Sequence, residues 1–326
     1  MRDDEYGGTG GTGGSGGTCG SVDVNVERVI PNIFLIVDRS ASMRWDFKGC
    51  NSSPYCWLNG GIAAYEPPSR WDALKAGLLD PSTGVLPELD SIARFALSAF
   101  DNVEGANPIC PRLVTADLAL DNASTIQSLL DSNPPSGGTA TAQAISAVLD
   151  EVQSMTLPDG PTIFLLATDG EPTGCGDTSP TVQDFNDTIA AIDDVAAAGF
   201  PTYVIGVGIA SSKLSAMAQA GRPNDPNADY FPASNSTALS NAFHDIIGAQ
   251  IPCTVEVQGT VDIEKAYLGT VMLNDVALEY GNGTRGWTML DDGVTLELLG
   301  TACDDWTTQS DASLTANFPC GVVVLE

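Results

Sequence analysis

Residues 33–43, with the sequence IFLIVDRSASM, place a carboxylate and two hydroxyls directly after a run of apolar residues. Asp38, Ser40 and Ser42 occupy alternate positions. In an extended strand Asp38 and Ser42 would lie about 13 Å apart, at about 3.3 Å per residue, and could not contact the same ion. We therefore expect the segment to curl into a loop in which its oxygen atoms converge on one hard cation.

Two further segments carry oxygen ligands of the same kinds. Thr139 lies in the loop SGGTAT at residues 136–141, and Asp169 follows the apolar part of LLATDGEPT at residues 165–173. In an open parallel sheet, ligands bind beyond the carboxyl ends of the strands, where such loops meet. Three hydroxyls and two carboxylates suit Mg²⁺, which prefers six oxygen ligands and keeps several waters, with Mn²⁺ and Ca²⁺ as alternatives.

The elements that must position these loops alternate between strands and helices. NIFLIVD, PTIFLLATDG and FPTYVIGVGI are continuous apolar runs, which are typical of strands buried on both faces. Helical patterns lie between them, including SRWDALKAGLLD with Ser69 as its cap and a helix that ends at Gly199. The sequence predicts an α/β fold over residues 28–250, with a doubly wound, mostly parallel sheet flanked by helices.

The flanking segments differ in character from this domain. Residues 1–18 contain GGTGGTGGSGG and are expected to form a flexible tether. Residues 251–326 contain strand-like stretches, such as KAYLGTVMLNDVALEYG, separated by turn signals. We group them with residues 19–27 as a small β-rich module, although the alternating stretch VDVNVERV could instead join the α/β domain.

The three loops together resemble the von Willebrand factor A family and its metal-ion-dependent adhesion site. The resemblance covers residues 28–250, with D-x-S-x-S, GGT and TDG in order. It implies that Ser40, Ser42 and Thr139 bind the metal directly. It also implies that Asp38 and Asp169 bind it directly or through water, and that a partner's carboxylate completes the coordination.

A narrower resemblance concerns the two ends of the chain. RGWTMLDDGVTLELLGTACDDW followed by FPC, together with CGSVDVNVERVIPN, is similar to bacterial surface lipoproteins that carry an A domain, including adhesins of gliding motility. The resemblance implies a cell-surface protein, such as an outer-membrane lipoprotein whose signal segment lies upstream of this sequence. The sequence itself shows no secretory signal and no apolar run long enough to span a membrane.

Eight cysteines and a single histidine favour disulfides over a zinc site, and so an oxidising compartment. Cys50 and Cys56 are expected to pair because they are close in sequence. Cys110 and Cys175 follow strands on what should be one sheet edge, so they are also candidates to pair. The remaining four would hold the β-rich module together in a connectivity that the sequence leaves open: Cys19, Cys253, Cys303 and Cys320.

Residues 44–68 are longer than a strand-to-helix connection requires, since two to six residues are usual. They contain Trp45, Tyr55 and Trp57 and border the expected metal site. One interpretation is a disulfide-stiffened recognition loop whose aromatic side chains contact a partner. The other is a structural insertion that packs on its own domain.

The composition and the remaining motifs argue against several functions. The net charge of −29 makes nucleic acid and anionic membrane surfaces poor partners, so any membrane association would come from an upstream anchor. No G-x-S-x-G or Walker motif occurs, and His244 is interpreted as a packed or surface histidine. GNGTRG, at residues 281–286, matches the glycine spacing of a dinucleotide-binding loop, but no helical pattern follows it, so we exclude such a site. Asp225, Asn227 and Asp229 alternate like a calcium loop, but Tyr230 replaces the required glycine.

The sequence therefore predicts an extracellular, metal-dependent adhesion protein without enzymatic activity, whose partner offers a carboxylate. The alternative is a structural component of a cell-envelope assembly, in which the metal only orders loops. A metal-assisted hydrolase is disfavoured, because an activated nucleophile is absent from the sequence patterns.

Overall fold

A computed structural model describes residues 21–24, 26–47, 68–103, 108–176, 179–309, 311–319 and 321–324. The strands in chain order are β1 (Ser21–Val24), β2 (Val26–Glu27), β3 (Asn32–Asp38), β4 (Arg94–Val103), β5 (Ile109–Ala119), β6 (Thr162–Thr168), β7 (Thr202–Val207), β8 (Phe231–Ala233), β9 (Thr254–Val257), β10 (Thr260–Val261), β11 (Thr270–Leu273), β12 (Val276–Tyr280), β13 (Arg285–Met289), β14 (Thr295–Gly300), β15 (Leu314–Pro319) and β16 (Val323–Val324). The α-helices are α1 (Arg70–Leu79), α2 (Val85–Leu89), α3 (Ala123–Ser132), α4 (Thr141–Ser154), α5 (Val182–Ala197), α6 (Ser212–Gly221), α7 (Ser236–Gly248) and α8 (Thr301–Thr308).

Strands β3 to β8 form a six-stranded sheet in the order β5-β4-β3-β6-β7-β8. Neighbouring strands run parallel except for the edge strand β5, which is antiparallel to β4. In the register of β3 with its neighbours, Asp38 lies opposite Phe100 of β4, and Val37 lies opposite Ala167 of β6. The carboxyl ends of the central strands therefore meet at one edge, and the predicted α/β class is confirmed.

The central sheet is buried on both faces by helices. On one face Ile33, Leu35 and Val37 pack with residues of α1, α2, α3 and α7. On the other, Phe34 and Ile36 pack with residues of α4, α5 and α6. Because successive side chains of a strand point to opposite faces, a continuous apolar run such as NIFLIVD serves both layers.

The second sheet has eight strands in the order β1-β15-β11-β12-β13-β14-β9-β2. Strands β1 and β2 lie at opposite ends of this order, yet residue 25 alone separates them in the chain. The two ends of the sheet therefore lie close together. Its core is separate from the two layers of the α/β sheet and is built round the fully buried Trp287. Residues 21–27 thus pair with C-terminal strands and not with the six-stranded sheet.

The connection between the two sheets makes the α/β part an insertion. The chain leaves the second sheet after β2 and returns to it at β9, and these two strands are antiparallel neighbours, with Val26 opposite Val257. One stretch read as strand from the sequence differs in the structure: residues Ile263–Leu268 form a 3₁₀ helix, and the strand begins only at Thr270. No described helix is long and apolar enough to cross a membrane.

Candidate metal centre

The segment after β3 curls over the edge of the sheet. The Ser40 backbone N–H donates to Asp38 Oδ1 at 2.8 Å, which turns the chain immediately after the strand. A 3₁₀ helix, Ala41–Arg44, follows, and its Met43 is fully buried. Asp38, Ser40 and Ser42 therefore project from a compact loop and not from an extended strand.

Asp38 is fully buried at the end of the central strand. Its second carboxylate oxygen, Oδ2, accepts a hydrogen bond from Thr168 Oγ1 of the neighbouring strand β6 at 2.7 Å. Burial raises the pKa of Asp38, and the hydrogen bonds from Ser40 and Thr168 oppose that rise. Asp38 is thus held rigidly by two neighbouring segments.

A chain of hydroxyls connects the first loop to the third. Ser40 Oγ and Ser42 Oγ lie 2.9 Å apart, and Ser42 Oγ donates to Asp169 Oδ1 at 2.8 Å. Gly170 leaves the space beside them open, because a Cβ atom there would lie 3.9 Å from Ser42 Oγ and 3.9 Å from Thr139 Oγ1. Thr139 therefore faces the same small volume as the serines.

Asp169 is paired with a cationic side chain as well as with a hydroxyl. Arg70 Nη1, in the first turn of α1, donates to Asp169 Oδ2 at 2.8 Å, and both side chains are buried. Burial, followed by the negative charge of Asp38, raises the pKa of Asp169 to about 7, although Arg70 acts in the opposite direction. Asp38 and Asp169 together carry more negative charge than the Arg70 guanidinium compensates, which favours a further positive charge between them.

The loop that carries Thr139 is fixed on both sides. Thr173 N–H donates to the Thr139 carbonyl at 2.9 Å, and Thr139 N–H donates to Thr173 Oγ1 at 2.9 Å. On the opposite side, Gly138 N–H donates to Asn102 Oδ1 of β4. Gly137 has a φ of +68°, and a Cβ atom there would collide with the Asn102 carbonyl, so the turn requires glycine.

Residues 90–245 match the family model of the von Willebrand factor type A domain. The chain contains a von Willebrand factor type A domain. The matched range includes Thr139 and Asp169, and the loop with Asp38, Ser40 and Ser42 lies upstream of it. This match confirms the family expected from the sequence for residues 90–245. A search of curated protein sequences finds no match.

Solved structures with a similar fold include a point mutant of the PilB minor pilin from Streptococcus sanguinis (TM-score 0.48, 15% identity, 68% of this chain and 61% of that chain). The vWF domain of the type V pili tip protein Mfa5 from Porphyromonas gingivalis is another (TM-score 0.45, 14% identity, 68% and 94%). A third is the manganese-loaded TRAP protein of Plasmodium vivax (TM-score 0.41, 17% identity, 68% and 76%). The match spans less than two thirds of the length of the pilin. At these TM-scores and identities, no role is transferred from these proteins to this chain.

A buried ionic cluster supports the A domain beside the loops of the candidate site. Asp101, at the end of β4, is fully buried and lies 3.0 Å from Arg39 Nη2. It also accepts hydrogen bonds from Arg112 Nε at 2.8 Å and from Ser136 Oγ at 2.7 Å. Since Arg39 follows Asp38 and Ser136 begins the Gly-Gly-Thr loop, Asp101 connects the first two loops of the site.

The aromatic residues expected to contact a partner are only partly described. Trp45 is half-buried, and the Arg70 guanidinium carbon lies 5.8 Å from the centroid of its ring. Tyr55 and Trp57 lie outside the described residues, as does most of the 44–68 segment.

Two disulfides are present among the described cysteines. Cys110 and Cys175 are joined, as their expected positions at one sheet edge suggested. Cys253 and Cys303 are joined within the C-terminal part of the chain, which identifies one bond that the sequence left open. The proposed Cys50–Cys56 pair, Cys19 and Cys320 lie outside the described residues.

The other ionisable residues singled out in the sequence lie elsewhere in the A domain. His244 of α7 is partly exposed, and its Nε2 lies 3.6 Å from Glu88 Oε2. Asp225 contacts Arg222 at 2.9 Å and accepts from the Asn227 backbone, which is the arrangement of a plain polar loop. Neither group belongs to the cluster round Asp169.

Four residues of the site were not identified from the sequence: Arg70, Asn102, Thr168 and Thr173. Thr168 and Thr173 lie within the stretch LLATDGEPT, so the motif itself contained them. Arg70 could have been suspected as a rare cation directly beside the cap residue Ser69 in an acidic chain. Asn102 carried no comparable signal, because its role depends on a strand register that only the folded sheet establishes.

The donor set suits a hard divalent cation. Three hydroxyls and two carboxylates from three loops converge, and all of these oxygen atoms are types that Mg²⁺, Mn²⁺ and Ca²⁺ accept. Over the described residues, no group of three or more His, Cys, Asp or Glu side chains forms a separate metal site. The candidate site has only two carboxylates and takes its other oxygen ligands from hydroxyls, so it does not count among such groups.

Proposed function

We propose that Asp38, Ser40, Ser42, Thr139 and Asp169 bind one divalent cation, with Mg²⁺ preferred to Mn²⁺ or Ca²⁺, and that a carboxylate of a partner completes its coordination. The observation that carries the proposal is the hydroxyl chain from Ser40 through Ser42 to Asp169, which faces Thr139 across the space left by Gly170. Hydroxyls at this spacing provide several oxygen ligands without adding negative charge.

The charge balance of the site favours an acidic partner. Asp38 and Asp169 are its carboxylates in the part of the chain that the structure describes, and Asp169 already neutralises part of the charge of Arg70. A divalent ion together with the Arg70 guanidinium would outweigh the two carboxylates by one positive charge, and the site would then attract an external carboxylate. Binding therefore suits this geometry better than catalysis, and the only histidine, His244, contacts Glu88 instead.

Adhesion outside the cell is the setting that fits the whole chain. The A domain carries the Cys110–Cys175 disulfide, which persists in oxidising compartments. The net charge of −29 favours partners other than nucleic acid. We propose a bacterial cell-surface protein, tethered through an upstream lipid anchor, with the aromatic residues of the 44–68 segment contributing to recognition.

Cation titration of the full chain tests the metal site. Ser42→Ala removes the hydroxyl that joins Ser40 to Asp169, so Mg²⁺ affinity measured by calorimetry should fall at least tenfold, or about 1.4 kcal/mol. Ser154→Ala is the matched control, because Ser154 is exposed at the end of α4 and contacts Glu151. Absence of Mg²⁺ binding by the unaltered chain would contradict the proposal.

Partner capture separates adhesion from the alternative, in which a bound metal only orders loops within an envelope assembly. Exposed surface proteins are incubated with the immobilised chain in Mg²⁺, in EDTA, and after Mg²⁺ is restored. Adhesion predicts that EDTA abolishes capture, that Mg²⁺ restores it, and that Asp38→Asn prevents it without changing the fold. Capture that resists both EDTA and Asp38→Asn would favour the structural alternative.

A further inference from the structure

The Cys110–Cys175 disulfide links the third loop of the metal site to β5, the edge strand of the six-stranded sheet. Cys110 lies at the start of β5, and Cys175 lies in the loop after β6. In the sheet order β5-β4-β3-β6, these strands are three positions apart, or roughly 14 Å at about 4.8 Å per strand. The loop after Asp169 must therefore cross the carboxyl ends of β3 and β4 to reach Cys110.

Thr173 lies in this crossing segment, between Asp169 and Cys175. It is buried and exchanges two hydrogen bonds with Thr139, one through its backbone N–H and one through its hydroxyl. A Cβ atom on Gly138 would lie 3.1 Å from Thr173 Oγ1, so the two loops touch without room for a side chain. The position of Thr139 is thus set by Thr173 on one side.

Strand β4 and edge strand β5 hold the other side of the same loop. Asn102 Oδ1 accepts from Gly138 N–H, and Arg112, two residues from Cys110, donates to Ser136 Oγ at 2.7 Å. The Gly-Gly-Thr loop is therefore enclosed between these contacts and the crossing segment. The disulfide is the covalent bond that closes this enclosure.

We propose that Thr173 is a positioning residue for Thr139 and that the Cys110–Cys175 disulfide holds Thr173 in place, so that cation affinity depends on this bond. The inference rests on the proposed function, since it concerns the same cation site. Without the disulfide, the Cys175 end of the crossing segment loses its covalent link to β5, and Thr173 is held through its hydrogen bonds with Thr139. Thr173 and Thr139 would then spend less time in the arrangement that faces the site.

The Thr173 variants test the hydroxyl itself. In the full chain, Thr173→Val keeps the shape of the side chain but removes Oγ1, and we expect Mg²⁺ affinity by calorimetry to fall about tenfold. Thr173→Ser restores the hydroxyl and should bring the affinity back to within about threefold of the unaltered chain. A purely structural role for Thr173 would not produce this rescue at equal thermal stability.

The two disulfides give a matched comparison. Cys110→Ser with Cys175→Ser should weaken Mg²⁺ binding five- to tenfold, whereas Cys253→Ser with Cys303→Ser, which removes the disulfide outside the A domain, should leave it unchanged. The electron paramagnetic resonance signal of bound Mn²⁺ should broaden in the first pair only. If Thr173→Val does not fold, the cysteine pairs decide the question alone.

The possible failures are distinguishable. If the unaltered chain binds Mg²⁺ and the Thr173→Val and Cys110/Cys175 variants bind it equally well, this inference is wrong and the proposed function stands. Equal weakening by both cysteine pairs would also overturn it, because the effect would then reflect general stability. If the unaltered chain binds no Mg²⁺, both the proposed function and this inference fail.

Discussion

At the scale of single residues, Asp169 divides its two carboxylate oxygens between a neutral and a charged donor. Ser42 Oγ donates to Oδ1, and Arg70 Nη1 donates to Oδ2. Arg70 therefore acts as a built-in cation at the place where the sequence motif expects a metal ligand. Its charge compensates the buried carboxylate and at the same time opposes a second cation nearby.

Replacing Arg70 should separate these two effects. In Arg70→Met we expect Mg²⁺ affinity at pH 8 to rise about fivefold, or ~1 kcal/mol, because the repulsion between guanidinium and metal is removed. The metal-free variant should unfold at a lower temperature, since breaking a buried pair leaves Asp169 uncompensated. Calorimetry and thermal melts measure the two effects.

Arg94→Met is the control for this substitution. Arg94 begins β4 at the opposite edge of the sheet, where it donates to the Ile30 carbonyl at 3.1 Å. It carries the same change of charge without touching a ligand of the site. Equal changes in Mg²⁺ affinity for both variants would show that only net charge matters.

The raised pKa of Asp169 predicts a pH-dependent metal site. With a pKa of about 7, the carboxyl holds a proton at lower pH, and that proton competes with the cation. Mg²⁺ affinity should rise about tenfold per pH unit between pH 5 and 6.5 and level off above pH 8. A flat profile across that range by calorimetry would contradict this prediction.

The raised pKa of Asp169 also affects the stability of the metal-free protein. Whereas Mg²⁺ affinity rises with pH, this contribution to stability falls with pH. Unfolded Asp has its ordinary pKa of about 3.9, so between roughly pH 4 and 7 the folded state binds more protons than the unfolded state. The stabilising contribution of protonated Asp169 is complete below pH 4 and is lost as the pH rises through about 7. Mg²⁺ should therefore raise the melting temperature most above pH 7.

At the scale of elements, the first turn of helix α1 contacts the candidate metal site through Arg70. Ser69 caps the helix: its hydroxyl accepts from the Asp72 N–H, and the Asp72 side chain accepts from the Ser69 N–H. This capping box fixes the first turn, where Arg70 lies. The helix start therefore determines the direction from which Arg70 reaches Asp169.

Two capping boxes in the A domain allow a matched test. Ser69→Ala and Thr181→Ala, which removes the equivalent cap of α5, should each lower the free energy of unfolding by about 1 kcal/mol in urea titrations. Only Ser69→Ala should change Mg²⁺ affinity, because Arg70 adjoins that cap. If the two variants bind Mg²⁺ with the same affinity, the start of α1 does not influence the metal site.

The regular elements of the α/β part were predictable because their patterns are local. Continuous apolar runs marked the buried strands, and Ser69 and Gly199 marked helix ends at or beside the observed positions. The convergence of the three loops followed from the general rule for parallel sheets. The contacts of Arg70 and Asn102 were not predictable, since they depend on which distant segments become neighbours.

At the scale of the whole molecule, the α/β domain is inserted between two paired strands of the second sheet. Its apolar layers contain residues between Ile33 and Ile251, and the core of the second sheet begins at Val255. The pairing of β1 with β15 and of β2 with β9 could not be read from the sequence, because the partners are more than 200 residues apart.

This separation of cores predicts that the inserted domain is independent. A fragment of residues 28–252 should fold and bind Mg²⁺ within about threefold of the full chain, or ~0.6 kcal/mol. Circular dichroism and calorimetry provide the measurements, and the same fragment with Asp38→Asn gives the level without metal binding. An unfolded fragment would show that the second sheet completes the domain.

The two crossings between the sheets also determine how mechanical load would pass through the protein. A partner pulling on the metal site would place both crossings under tension. At the return crossing, Cys253 transmits that tension covalently to Cys303, and at the outgoing crossing the Arg28 guanidinium lies 4.0 Å from the Trp306 ring. Cys303 and Trp306 both belong to α8. This eight-residue helix is therefore the point where force from the A domain would be shared between its two connections.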